Sequence, residues 1–432
     1  MIHRPRGTTV AGAAVVAMYV AAWALSPLVM HGTRTDLDFF FWPAAQSAAH
    51  GHLLTVYSFR GVDAYPDANG PLSVILLAPP AAIANALGWT DPRVAAGMVG
   101  VLAAGLALLA AREAVGIIRT VRGELEWPLA AYAAFLLAPV LWIAVAGFGH
   151  VEQVIETYLL LVAVRMVLQR RDGGAGVAFG LALLARTAAL ACAVPLVLAA
   201  WGRGARSGMR LVASAVGVGG AVLAPFLVAD GANVVHSLVT YRGQLPIGGG
   251  SVWVTLYRSS LATIVEHGDA WLSLAVAVVV CTLVVRRRPT TAATPAGLVG
   301  LLCIAAACFP MLAKTVHSYY MFEPYVFGAV WWLGRPGSAL TWRAAVPALL
   351  TVDTFLAEWS VTLPLSGLGV VEGVASSLIL AAVIALVATD LLRTQGSSVR
   401  SSTRLALTSS RMVTASAPAN TNPTRRGSQV NP

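Results

Sequence analysis

Apolar residues run through this chain in long blocks, and polar residues gather between the blocks. A helix of about 20 apolar residues crosses the hydrocarbon core of a bilayer. On that measure the pattern predicts an all-α polytopic membrane protein of about twelve transmembrane helices. The segments are 8–30, 93–111, 127–147, 151–168, the short pair 175–186 and 188–200, then 211–229, 270–285, 294–312, 319–333, 343–360 and 371–392. The stretch 71–88 is apolar too, but it carries Pro71, Pro79 and Pro80. Counting it as a span would invert the side of every later segment. It is therefore expected to be a juxtamembrane or re-entrant helix in a long first outer loop, about 31–92. Residues 1–395 read as one membrane domain. The tail 396–432 is rich in Ser, Thr, Asn, Pro and Arg and is expected to be disordered and cytoplasmic. Its arginines suit contact with anionic lipid heads.

Composition agrees with this pattern. Of 432 residues, 57% are hydrophobic and 11% charged, against roughly 25% charged in soluble chains. The net charge of +10 does not point to nucleic acid, because the arginines sit between apolar blocks. With Arg4 and Arg6 inside, the loops holding Arg112, Arg119 and Arg122, then Arg170 and Arg171, then Arg203, Arg206 and Arg210, then Arg286–Arg288, then Arg335 and Arg343 all fall on one side. Basic residues favour the cytoplasmic side. Both termini are thus expected in the cytoplasm of a plasma-membrane protein, with the first apolar run retained as a span. Lys314 is the single lysine. The four cysteines lie in apolar runs without metal-ligand spacing, so packing is their expected role.

The same alternation sorts the remaining polar residues. The outer side receives 31–92, the surroundings of His150, the region near Arg186, 230–269, 313–318 and 361–370. Long irregular segments in a compact protein are usually functional or disordered. Asp36 and Asp38 follow the first span, where a carboxylate is costly unless paired or used. Either can act as a general base toward an acceptor hydroxyl. Lys314 and His317 lie about one helical turn apart, and a cation beside an imidazole suits a phosphate. Arg242 and Arg258 run against the topology bias, which phosphate binding would explain. His150 and Glu152 sit at a span boundary, with Glu156 one turn deeper. Glu156 and Arg186 are a candidate intramembrane pair. Asp353 and Glu358 read as structural acids.

The run Thr35-Asp36-Leu37-Asp38-Phe39-Phe40, followed by Ala44-Ala45, Gly51 and Val56-Tyr57, resembles the opening of polyprenol-phosphate-sugar-dependent membrane glycosyltransferases of the GT-C fold. The nearest group contains the bacterial α-mannosyltransferases of the phosphatidylinositol mannoside pathway. Tyr65-Pro66 with Gly70-Pro71-Leu72 is similar to an interrupted Tyr-Pro-Pro-Leu segment of that family. Gly149-His150, the Gly176–Pro195 stretch around Arg186, and Pro310 followed by His317 resemble its later features. The spacing to Gly51 runs one residue long, which leaves the equivalent acid open between Asp36 and Asp38.

The resemblance implies an inverting transfer of a sugar, mannose or a pentose such as arabinose, from a polyprenyl-phosphate donor to a glycolipid acceptor. Asp36 would be the base, with Asp38 as its rival, and His317 would help hold the donor phosphate and stabilise the charge developing on it. Lys314, Arg242, Arg258 and Arg186 would hold the donor phosphate. His150, Glu152, Tyr65 and Tyr319 would line the substrate site. No cofactor or metal is implied. The alternative is a transporter or flippase of lipid-linked glycans. That reading predicts internal pseudo-symmetry, and the two halves carry no obvious duplication. A non-enzymatic scaffold is the third. No Walker A or HExxH motif occurs.

Overall fold

The computed structural model describes residues 6–30, 36–58, 69–241, 245–335, 341–360 and 367–393. Tyr65, Arg242 and the tail 396–432 lie outside the described residues. Among the described residues there is helix and turn but no strand. The α-helices are α1 (Arg6–Met30), α2 (Trp42–Ser47), α3 (Pro71–Ala86), α4 (Pro92–Arg122), α5 (Pro128–Leu136), α6 (Pro139–Trp142), α7 (Val151–Leu168) and α8 (Asp172–Ala185). They continue as α9 (Leu190–Trp201), α10 (Ala205–Val235), α11 (Ala262–Arg287), α12 (Pro295–Leu312), α13 (Phe322–Leu333), α14 (Ala345–Ser360) and α15 (Leu368–Arg393).

Each of the twelve expected apolar segments falls largely on helix. Among the described residues, six stretches are long and apolar enough to cross a membrane: Pro92–Arg122, Pro128–Gly147, Ala205–Thr240, Ala262–Arg287, Pro295–Leu312 and Leu368–Arg393. Of the rest, α3, α8, α9, α13 and α14 have 12 to 16 residues, and the 18-residue α7 carries Glu152, Glu156 and Arg165. At 1.5 Å per residue, the 14-residue α8 and the 12-residue α9 reach about 21 and 18 Å, less than the roughly 30 Å hydrocarbon core. The extended backbone of Arg186 separates them. The stretch 71–88 holds α3, whose 16 residues include Pro79 and Pro80.

Close packing follows from small residues. A Cβ on Gly176 of α8 would lie 2.1 Å from the Leu211 carbonyl oxygen of α10, and one on Gly180 would lie 2.6 Å from that of Ala215. Glycines four residues apart let two helix backbones approach where lipid gives no hydrophobic drive to associate. α12 and α13 form the buried centre. Val216, Val228, Trp271 and Leu378 on α10, α11 and α15 stay exposed, as bilayer-facing positions do.

Polar groups gather at two ends of the bundle. At one end Arg165 meets Glu113 at 2.7 Å, Arg203 pairs with Asp172, and Arg335 and Arg343 converge on Asp390 at 2.9 and 2.7 Å. This is the end of the arginine clusters. At the other end lie Asp36, His150, Ser318 and Glu358, with the Ser318 hydroxyl donating to Glu358 at 2.5 Å.

Candidate functional site

Beyond α1, Leu37–Phe41 forms a widened helical turn that continues into α2. Such π-type turns recur at functional sites. Asp36 stands at its N-terminal edge. Leu37 N–H donates to the Phe148 carbonyl at 3.3 Å, docking this turn on the corner before α7. Gly149 makes that corner, with a φ of +80°, a conformation glycine adopts without cost. A Cβ there would lie 2.4 Å from Leu37 Cβ. The next residue is His150, at the cap of α7, and Glu152 lies in the first helical turn.

These neighbours form a chain of acid, imidazole and acid. His150 Nε2 is 2.8 Å from Asp36 Oδ2, and its Nδ1 bonds Glu152 Oε1. The imidazole is buried, Glu152 is wholly buried, and the Asp36 side chain is 33% exposed. Tyr319 stacks on the imidazole at 3.8 Å between centroids, and His317 stacks on Tyr319 at 5.0 Å. Phe41 meets the His150 ring edge-on at 5.4 Å, and Phe148 meets Tyr319 at 5.1 Å.

Charge follows geometry. Burial alone would neutralise His150, but Glu152 and Asp36 outweigh it and push the imidazole up to about 9. Burial alone would raise Asp36; the hydrogen bond and charge of His150, with the charge of His317, hold it below the ordinary carboxylate range. At neutral pH the site therefore holds a carboxylate backed by an imidazolium, with the Tyr319 phenol on the ring face. Such a carboxylate can accept a proton from a hydroxyl placed within hydrogen-bond reach.

A second cluster lies one helical turn deeper. Arg186 Nη1 is 3.0 Å from Glu323 Oε1 and 3.5 Å from Glu156 Oε2, all three side chains being buried. The guanidinium also lies 5.0 Å from the Tyr320 ring centroid and 5.9 Å from that of Phe309. The suspected Glu156–Arg186 pair is thus present. Glu323, an acid opening an apolar helix four residues after Tyr319, is the partner that sequence reasoning missed. Glu156, Tyr320 and Glu323 line a small recess. Ala188 and Phe309 border both that recess and a largely apolar cavity of about 580 Å³, walled also by Leu190, Leu238 and Leu274.

Five of the expected site residues therefore come together: Asp36, His150, Glu152, His317 and Tyr319. Asp38 is half-buried two residues along. Lys314 is buried, its Nζ donating to the Glu266 carbonyl at 2.5 Å and its backbone N–H to Asp269 Oδ2 at 3.0 Å. Arg258 is exposed. Asp353 is wholly buried within α14, whereas Glu358 takes the Ser318 bond. All four cysteines are buried and free. Among the described residues, no cluster of three His, Cys, Asp or Glu side chains has the arrangement to hold a metal. Compared with known proteins, the chain matches no family model and no curated protein.

Proposed function

We propose that this chain is an inverting membrane glycosyltransferase of the GT-C type, with about twelve spans, moving mannose from a polyprenyl-phosphate donor to a glycolipid acceptor on the extracytoplasmic side. The observation that carries the reading is Asp36, a partly exposed carboxylate kept ionised by the buried imidazole behind it. In this reading the acceptor hydroxyl attacks the anomeric carbon, its proton passes to Asp36, and the bond from that carbon to phosphate oxygen breaks. The phosphate leaves as an anion and needs cations more than a proton.

Two further features support a lipid-linked donor. The 580 Å³ apolar cavity offers room for isoprenoid units. Arg186 pairs with Glu156 and Glu323, the two acids of the recess that shares Ala188 and Phe309 with the cavity. Two carboxylates against one guanidinium more than neutralise Arg186, so a phosphate there requires both of them to take up a proton or move away.

The test is an assay of purified protein in detergent or liposomes with a panel of polyprenyl-phosphate sugars and glycolipid acceptors. Transfer by the wild type, lost in Asp36→Asn, is the expected result. The cluster of Glu156, Arg186 and Glu323 inside the bundle also favours a second reading, a flippase or transporter of lipid-linked glycans, since buried ionisable groups line transport paths. That reading predicts movement of labelled donor across liposomes without consumption of its sugar phosphate.

A further inference from the structure

We infer that His150 and Glu152 are positioning residues, a buried clamp that fixes the charge and aim of Asp36, rather than ligands of the sugar. Both nitrogens of the imidazole are taken, Nε2 by Asp36 at 2.8 Å and Nδ1 by Glu152. No ring nitrogen is left for a substrate hydroxyl. Tyr319 covers one face of the ring and Phe41 stands at its edge, so rotation would disrupt both contacts. Glu152 is wholly buried, and so has no surface to offer a sugar.

The arrangement is built in series. Glu152 holds the imidazole charged and oriented, and the imidazole holds Asp36 charged and oriented through Oδ2. The other oxygen, Oδ1, is then the one that faces an acceptor. This division resembles an orienting acid behind a histidine in other enzymes, with the order reversed so that the outer carboxylate meets the substrate. The ionisable groups around the clamp come from several elements. His317 and Tyr319 precede α13, and Glu323 lies within it. Glu156 lies one turn deeper on α7, and Arg186 follows α8. Arg186 is itself shared between Glu156 and Glu323, so Glu152 Oε1 is left to His150.

The catalytic half of this inference rests on the proposed transferase reading; the electrostatic half does not. Two arms of one experiment separate them. In the first, a carbodiimide, which adds to protonated carboxyl groups, labels the detergent-solubilised full chain across a range of pH, and peptide mass spectrometry reads Asp36. Wild-type Asp36 should resist labelling at neutral pH and label only in acid. In His150→Gln its midpoint should move up by about one pH unit or more, a tenfold change in preference for the charged form. Glu152→Gln should move it in the same direction by less. Labelling of wild-type Asp36 near neutrality, or an unmoved midpoint in a folded variant, overturns the clamp.

In the second arm, sugar transfer is measured against pH. His150→Gln should lower kcat by about a hundredfold, the scale of a misaligned reacting group, with KM nearly unchanged, and its acid limb should follow the labelling midpoint. A raised KM with the acid limb unmoved would return His150 to substrate binding. If the wild type transfers no sugar, the transferase reading fails while the labelling arm still decides the clamp.

Discussion

His150 Nε2 and Asp36 Oδ2 lie 2.8 Å apart although 114 residues of chain separate them. The intervening helices, α2 to α6, and the Gly149 corner must be in place for the two to meet. A bond of such long range at one end of the bundle implies that the first loop is part of the core architecture rather than an appendage to it. It also distinguishes two acids that the sequence places side by side.

Asp36 and Asp38 should behave differently on neutralisation. Asp36→Asn removes the proposed proton acceptor and should reduce sugar transfer by about 10²–10⁴-fold, the usual contribution of general base catalysis. Asp38→Asn should leave transfer within a few-fold of wild type. Side-by-side kinetics on monodisperse protein decide the matter, and equal loss in both variants would remove Asp36 from its proposed role.

Gly149→Ala should uncouple the loop from the site. The new Cβ would sit 2.4 Å from Leu37 Cβ, at a backbone φ of +80°. The left-handed conformation costs about 1–2 kcal/mol for a residue with a side chain, and forced overpacking adds about 1–3 kcal/mol. We expect a lower unfolding temperature and weakened transfer. Leu37→Ala cannot relieve the clash, because it is with Cβ itself; Leu37→Gly removes that atom but also empties a buried side-chain site, so Gly149→Ala should cost less in the Leu37→Gly background than in the wild type. An equal cost of Gly149→Ala in both backgrounds would show that the contact is not the cause.

Much of this was legible in the sequence. Arginine alternation and apolar block lengths located the long helices, because lipid leaves few choices for a backbone that must bond itself. The span count was less legible. The blocks 175–186 and 188–200 read as a short pair interrupted by Arg186, and two short helices do flank that residue, but hydropathy does not say how such short pieces sit in a bilayer. The members of the site were also visible, as polar residues on one side, but their bonds were not. Nothing local to His150 announces that its ring is shared between Asp36 and Glu152, or that Glu323 meets Arg186. Those pairings depend on which faces of α7, α8 and α13 meet, and side-chain packing decides that.

Stability should depend on pH through the same clamp. The His150 value rises from 6.5 to about 9 in the folded state. Folding therefore strengthens proton binding there. The stabilisation is complete below about 6.5, declines above it, and is lost as pH rises through about 9. Asp36 acts in the opposite sense: its value is lowered by folding, so its contribution is present above the ordinary carboxylate value of 3.8 and lost as pH falls through the folded one. The gap in unfolding temperature between wild type and His150→Gln should be widest near pH 6 and narrow toward pH 10. A gap that widens with pH would mean that the imidazole is buried neutral.

Removing the guanidinium of Arg186 should be among the most damaging single changes. Arg186→Met leaves Glu156 and Glu323 facing each other in the buried centre, and breaking a buried ion pair from one side costs about 3–5 kcal/mol. The triple change Arg186→Met, Glu156→Gln and Glu323→Gln removes all three formal charges together and should recover much of that loss. Thermal unfolding followed by tryptophan fluorescence gives both numbers. Transfer should not return in the triple variant if Arg186 holds the donor phosphate, so recovered stability without activity is the expected pair of results. Recovered activity would move the phosphate site elsewhere.

The two polar ends should label from opposite sides of the membrane. All four native cysteines are buried and free, so an impermeant maleimide should find little background. Ser259 is exposed in the loop assigned to the side of Asp36, and Glu124 is exposed in the loop that follows Arg119 and Arg122. Ser259→Cys should label in intact cells, whereas Glu124→Cys should label only after the membrane is opened. The reverse pattern would put Asp36 on the cytoplasmic side, where a donor and acceptor displayed in the outer leaflet are out of reach. Labelling of both from outside would mean that the chain between them crosses the bilayer an even number of times, whereas opposite sides require an odd number. The spans between α4 and α11 would then have to be reassigned before any role for Asp36 is argued.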